Sequence, residues 1–188
     1  AVIEIFRNVG AHRICDIGAG NGALVGALHS AGFDVVGIEP DPQGVGIARK
    51  DLPGVHFYNL GVEEDPADIL SAEEDPFDAV VSTEVIEHLF SPHRLPFFAR
   101  ALLRDGGYLV VSTPYHGYLK NLALSVLGKW DDHHNPLWRG GHIKFWSRKT
   151  LTQLLEENGF TVISFRGVGR VLWFWKSMVL VARMVWTS

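Results

Sequence analysis

The stretch RICDIGAGNGALVGALHSAGFDVVGIEPD, residues 13–41, decides how the chain folds. Its first five residues form a short apolar run, 13–17, that passes straight into glycines at 18, 20 and 22. Residues 22–32 then carry Leu24, Leu28 and Ala31 at helical spacing, with Gly32 as a stop. Residues 34–41 return to an apolar run closed by Glu39 and Pro40. Strand, glycine turn, helix, strand is the crossover unit of a parallel sheet.

The remaining chain continues the alternation. Pro42 opens a helix over 42–52, and residues 55–60 and 77–83 read as a third and a fourth strand. Ser91 as cap and Pro92 at the first position predict a helix over 91–103. A diglycine turn leads into a fifth strand over 106–114. Ser147 caps, and Gly159 closes, a helix over 147–160, and TVISFRGV and MVLVARMV supply two more strands. Continuously apolar strands belong in a sheet covered by helices on both faces, so the expectation is an α/β, doubly wound fold. In such sheets the ligand lies beyond the carboxyl ends of the strands, where the residues that follow each strand gather.

Of 188 residues 47% are hydrophobic, enough for one core, and the expectation is one domain over 1–188 with an insert at about 114–146. A net charge of −4 argues against a generally basic nucleic-acid binder. One cysteine and no leader-like apolar segment near Ala1 fit a reducing, cytoplasmic setting. The apolar stretch 171–186 is broken by Lys176 and Arg183 into pieces too short to cross a bilayer, so no stable membrane insertion is expected. Residues 63–75 hold seven acids and no base, which reads as a solvated edge far from chemistry.

Glycines at 18, 20 and 22 let backbone N–H groups approach a ligand with no side chain between. Gly18, Gly20 and Ala23 also satisfy the looser G-x-G-x-x-G/A pattern of a dinucleotide turn, so the turn alone leaves the ligand open. Two acids narrow the choice. Asp16, two residues before the first glycine, opposes a pyrophosphate and suits an ammonium group. Glu39 ends the second strand, where an acid accepts from both ribose hydroxyls. A ligand with ribose, adenine and an amino-acid tail but no phosphate satisfies both acids, and S-adenosylmethionine is that ligand. A capping carboxylate for Asp16 and a surface acid for Glu39 are the plainer alternatives, each sufficient for one residue alone.

The segments DIGAGNG, VVGIEPD, FDAVVSTEVIEHL and LLRDGGYLVVSTP resemble, in order and spacing, the motifs of class I S-adenosylmethionine-dependent methyltransferases over about residues 13–159. The resemblance implies a Rossmann-like, seven-stranded sheet, mostly parallel with an antiparallel last strand. It places Gly18, Ala19, Gly20, Asn21 and Gly22 against the methionine and ribose portions of the cofactor, and Glu39 with Pro40 on the ribose. Gly61 and Val62 would flank the adenine, and Thr83 and Glu84 would face the methionine portion. Many relatives carry an aspartate where Gly61 stands, which leaves Glu63 or a backbone carbonyl to accept from the adenine amino group. Relatives often have a helix before the first strand that covers cofactor and substrate. The expectation is that such a segment precedes Ala1 and that its loss loosens cofactor binding.

Glu84, Glu87 and His88 form E-x-x-E-H just past the fourth strand, where the transferred methyl would emerge. At i and i+3 the two acids share a helical face, with His88 beside them. With His142 as fourth ligand, or His133 and His134 as weaker options, the set can hold Mg2+ or another divalent cation. The ubiquinone-biosynthesis O-methyltransferases resemble this chain over EVIEHL. The small-RNA 3′-terminal 2′-O-methyltransferases also resemble it, through E-x-x-E-H and a later histidine before an aromatic pair, and hold a metal there. In metal-free relatives Glu87 is a solvated or capping acid, and His88, His142 or His116 is then the candidate general base. The sulfonium is a good leaving group, so in-line alignment supplies most of the catalysis.

The insert holds four of nine histidines and three of six tryptophans. Tyr115, Tyr118, Trp130, Trp138 and Trp146, with the aromatics of GRVLWFWKS, suit a flat apolar or aromatic acceptor, or form a satellite cluster packed on the sheet. The leading expectation is O-methylation of a small-molecule acceptor. An RNA 2′-O-methyltransferase, drawing on Arg139, Lys144, Arg148 and Lys149, is the second. A non-catalytic S-adenosylmethionine-binding protein and a nicotinamide dehydrogenase complete the set.

Overall fold

β1 (Arg13–Ile17) buries every residue after its first, because it is paired on both edges and covered on both faces. The computed structural model describes residues 2–73, 75–134, 137–172 and 174–185. β2 (Asp34–Ile38) lies parallel to β1 on one edge and β4 (Phe77–Thr83) parallel on the other. β3 (His56–Tyr58), β5 (Leu103–Pro114), β6 (Phe160–Val168) and β7 (Ser177–Met184) complete a seven-stranded sheet in the order β3-β2-β1-β4-β5-β7-β6. β7 runs antiparallel to both β5 and β6, and every other pair is parallel. The sheet is thus mostly parallel with an antiparallel last strand, as expected. The strand order reverses between β1 and β4, which opens a crevice beyond their carboxyl ends.

Side chains alternate across each strand, and the alternation builds two cores. Cys15, Ile17, Val80, Val111 and Leu180 face one side with Phe98 of α5 (Arg94–Leu102) and Leu151 of α8 (Arg148–Glu157). Ile14, Val35, Val81, Val110 and Val181 face the other, under α1 (Val2–Val9), α2 (Ala23–Ser30) and α3 (Pro42–Asp51). Each fully buried Leu, Ile or Phe among them contributes about 1.5–3 kcal/mol of transfer free energy.

Caps set the helix ends. Asp41 accepts from the Gln43 N–H at 3.1 Å, with Pro42 in the first turn of α3. Ser147 and Thr150 form a reciprocal capping pair at the start of α8. α5 begins at Arg94, three residues later than expected: Ser91 and Pro92 form a turn whose Ser91 carbonyl accepts from the Arg94 N–H. Pro96 then falls in the first helical turn, where a missing N–H costs nothing.

Other elements depart from expectation. α1 was not foreseen; its Phe6 is fully buried, edge-on to Phe33 at 6.0 Å between ring centroids. The insert holds two short helices, α6 (Tyr118–Val126) and α7 (Trp130–His133). α4 (Ala67–Ala72) occupies the acidic stretch, which is not wholly solvated. Glu73 is half-buried, ion-paired to Arg13 and accepting from the Tyr58 hydroxyl at 2.7 Å. Glu74 of that stretch, and Trp173 and Trp186 of the C-terminal stretch, lie outside the described residues. No helix among the described residues is long and apolar enough to cross a membrane.

Candidate active site

The glycine turn is tied to the end of β2, where the Gly18 and Ala19 N–H groups both donate to the Ile38 carbonyl, at 2.8 and 2.9 Å. Gly18, Gly20 and Gly22 have φ of 82°, 56° and 82°, the left-handed region that a side chain disfavours. A Cβ on Gly18 would overlap Val85, whereas one on Gly20 would meet nothing within 4 Å, so the turn has one packed and one open side. Asn21 is exposed and accepts from the Ala23 N–H at 3.3 Å.

Glu39 is no free surface acid. Its carboxylate accepts from the Gly20 N–H at 2.8 Å and the Asp41 N–H at 2.9 Å, joining the turn to the start of α3. Asn59, which sequence reasoning missed, donates to the Glu39 and Pro40 carbonyls at 2.9 Å each. Asp16 is 1% exposed, and neither carboxylate oxygen has a hydrogen-bond partner among the described residues. Burial, and then the charge of Glu39, push its pKa up to about 7. A buried carboxylate with no donor is costly, and a cation or N–H donor beside it would relieve that cost.

At the β3 exit the Gly61 N–H donates to Glu64 at 2.7 Å, while Val62 is buried in the core. Glu63, the acid expected near an adenine, is 3.7 Å from Arg94 in an ion pair. Glu64 is thus the carboxylate on Gly61, a partner that the aspartate pattern gave no reason to seek.

At the β4 exit Glu84 does not share a helical face with Glu87, contrary to expectation. Helical geometry covers only Ile86–His88, as one 3-10 turn, and Glu84 precedes it at φ 56°. A non-glycine residue held there is strained by about 1–3 kcal/mol. Three contacts hold it: its N–H donates to the Ser112 carbonyl, and its carboxylate accepts from the Ser112 and Ser177 hydroxyls, each at 3.0 Å. Thr83, half-buried, closes β4 just before it.

Glu87 is 1% exposed, and burial raises its pKa. One oxygen accepts from the Thr113 hydroxyl at 2.9 Å; the other has no hydrogen-bond partner among the described residues and lies 3.9 Å from His142 Nε2. His88 and His142 stand 5.0 Å apart between ring centroids. One ligand atom each of Glu87, His88 and His142 lies within 4.8 Å of the others, a group that does not include Glu84. Backbone pairing brings His142 here: the Ile143 and Lys144 N–H groups both donate to the Glu87 carbonyl, at 2.9 and 3.0 Å. Beside them lies a cavity of about 370 Å³ lined by His88, Phe90, Trp138, His142 and Ile143. Burial lowers the His142 pKa and so favours its neutral, proton-accepting form.

His116 belongs to a different group. His133 and His134, the weaker candidates for the Glu87 set, gather instead around His116, whose ring lies 6.0 and 5.2 Å from theirs. Burial pushes the His116 pKa down to about 4, which makes it a weak base at neutral pH. The expected aromatic wall divides likewise. Tyr115 and Trp146 are core residues, Tyr115 packing on Phe165 and Trp175; Tyr118 is exposed; Trp130 covers His134; Trp138 alone of the five lines the cavity.

Strand order, glycine turn and the acids at the strand exits define a Rossmann-like methyltransferase arrangement. Residues 4–165 match the family model described as a methyltransferase domain. The chain belongs to this family, the class I S-adenosylmethionine-dependent methyltransferases. It is 32% identical over 174 residues to a ubiquinone biosynthesis O-methyltransferase of Roseobacter denitrificans, a match covering 87% of this chain and 66% of that protein. Magnesium protoporphyrin IX methyltransferase from Synechocystis PCC 6803, solved with bound SAH, superposes with a TM-score of 0.71 at 19% identity, covering 97% and 80% of the two chains. An S-adenosylmethionine-dependent methyltransferase from Clostridium acetobutylicum gives a TM-score of 0.74 at 9% identity, covering 98% and 89%. At these identities the structural likeness is one of fold.

Proposed function

We propose that this chain transfers a methyl group from S-adenosylmethionine to an oxygen of a small, flat or aromatic acceptor. The observation that carries the reading is Asp16, a buried carboxylate without a hydrogen-bond partner among the described residues, beside a glycine turn whose Gly20 side is open. The cofactor's ammonium fits that deficit, and a pyrophosphate would be repelled there. Gly18, Ala19, Gly20, Asn21 and Gly22 form the bed for its methionine and ribose portions, with Thr83 and Glu84 on the methionine side. Glu39 and Pro40 serve the ribose, and Gly61 and Val62 flank the adenine.

The acceptor occupies the cavity lined by His88, Trp138 and His142. Its oxygen attacks the methyl carbon as the carbon–sulfur bond breaks, its proton passes to His142, and S-adenosylhomocysteine leaves uncharged. Glu87, buried 3.9 Å from His142 Nε2, stabilises the imidazolium that forms. The likeness to ubiquinone biosynthesis O-methyltransferases supports oxygen as the atom methylated.

A second reading rests on the unpartnered oxygen of Glu87. With His88 and His142 it offers oxygen and nitrogen donors within 4.8 Å, a set that fits a divalent cation; Glu84 is committed to Ser112 and Ser177. A cation held there would lower the pKa of an acceptor hydroxyl.

The test is incubation with methyl-labelled cofactor and a metabolite extract, with products identified by mass spectrometry. A labelled ether is expected, lost in His142→Ala while calorimetric cofactor affinity stays within about twofold. Calorimetric binding with no labelled product would leave a non-catalytic binding protein. Labelling of RNA, with binding that falls steeply with salt, would reassign the acceptor. Loss of turnover on chelation, restored by magnesium or manganese, selects the cation reading over the imidazole acting alone.

A further inference from the structure

We propose that the insert carries a second metal site, in which His116, His133 and His134 hold a divalent ion of the zinc class. The site shares no residue with the Glu87, His88 and His142 group. One ring nitrogen of each of the three lies within 4.8 Å of the others. They meet from separate parts of the chain. His116 follows β5 and is fixed where its N–H donates to the Trp146 carbonyl at 3.0 Å. His133 closes α7, and His134 follows it, its N–H donating to the Trp130 carbonyl at 2.8 Å.

Two observations point to a ligand rather than to packing. His116 is 8% exposed, yet neither ring nitrogen has a hydrogen-bond partner among the described residues, and Nε2 of His134 is buried in the same condition. Imidazoles in the interior ordinarily find a donor or acceptor for each nitrogen, so lone pairs converging without one mark a place for an electron-pair acceptor. Lys120 is the nearby cation; its ammonium donates to the Tyr115 carbonyl at 2.9 Å, and burial favours its neutral form.

The donor set identifies the ion. Three imidazole nitrogens, with no carboxylate in the group among the described residues, favour zinc, cobalt, nickel or copper over magnesium and calcium, which prefer oxygen. Three protein ligands leave a fourth position for water or an acceptor oxygen. Phe145, with its ring 5.1 Å from His116 and 4.8 Å from His134, and Trp130, at 4.3 Å from His134, wall the site with apolar rings. Bound metal would cross-link α7 to the end of β5 and fasten the insert to the sheet.

The experiment uses untagged, metal-stripped protein and two variants. The double variant His133→Ala/His134→Ala removes exposed and half-buried ligands from a surface turn. His142→Ala disables the neighbouring group and leaves these three histidines intact. Titration with cobalt should give the visible ligand-field bands of a four-coordinate, nitrogen-ligated ion, displaced by zinc and untouched by excess magnesium. The double variant should lose the bands and bind zinc at least about 100-fold more weakly, beyond what the loss of an outer partner costs; His142→Ala should keep both. Zinc should raise the melting temperature of the native chain and not that of the double variant. Absence of bands in the native chain, their survival in the double variant, or their loss in His142→Ala would each overturn the proposal.

Discussion

Asp16 couples the site to pH. Its pKa of about 7 exceeds the ordinary 3.8, so the folded chain binds a proton that the unfolded chain has released. The stability associated with that proton is fully present below about pH 4 and is lost as pH rises through about 7. Asp16→Asn should therefore melt higher than the native protein at pH 8, by roughly 1–3 kcal/mol of relieved desolvation. Affinity for S-adenosylmethionine should rise about tenfold per pH unit as Asp16 ionises and level off above about pH 7, with no such rise in the Asn variant. Calorimetric titrations across that range check both; parallel pH profiles would remove Asp16 from the site. Glu39→Ala strips acceptors from the Gly20 and Asp41 N–H groups and, on the proposed function, from the ribose, and should weaken cofactor binding by about 1–3 kcal/mol in the same assay. The position of both acids beside the glycine turn was legible in the sequence, because each stands at or just after the end of an apolar strand. Asn59 was not: its two bonds run to backbone carbonyls some twenty residues away, and no local pattern encodes them.

At the scale of elements, the glycine turn and the β4 exit are one packed unit, with Val85 seated over Gly18. Gly18→Ala would place a methyl into Val85 at a φ of 82°. It should cost about 1–2 kcal/mol from the backbone alone, lower the midpoint of urea unfolding, and abolish cofactor binding. A variant that unfolds and binds like the native chain would show that this seat is not rigid. Glycine spacing made the turn readable, whereas reading Glu84 and Glu87 as neighbours on a helix failed because Glu84 sits in a left-handed conformation outside the single turn. α1 carried a readable signal in Val2, Ile5, Phe6 and Val9, which follow helical spacing, but eight residues are too few to stand out. The partnership of His142 with Glu87 is set by backbone bonds from Ile143 and Lys144 across the fold, and the grouping of His116 with His133 and His134 is equally non-local.

For the whole molecule, the doubly wound sheet was legible because its strands are apolar on both faces. The antiparallel direction of β7 came only with the resemblance to a family, since antiparallel and parallel strands buried on both sides read alike, and its place between β5 and β6 came only with the structure. Leu180 of β7 is fully buried, and Leu180→Ala should cost about 2–5 kcal/mol. At roughly 2–4 °C per kcal/mol for a chain of this length, calorimetry should show a clear fall in the midpoint, and a fall under one degree would mean that β7 contributes little to the sheet. The position of β7 also orders events during synthesis. β6 leaves the ribosome before the strand that joins it to the sheet, and it has no backbone partner there until Ser177–Met184 has followed. A nascent chain arrested ahead of Ser177 would thus hold its glycine turn and its first five strands while β6 stays open to protease, and release of eight more residues would let β7 join β6 to β5.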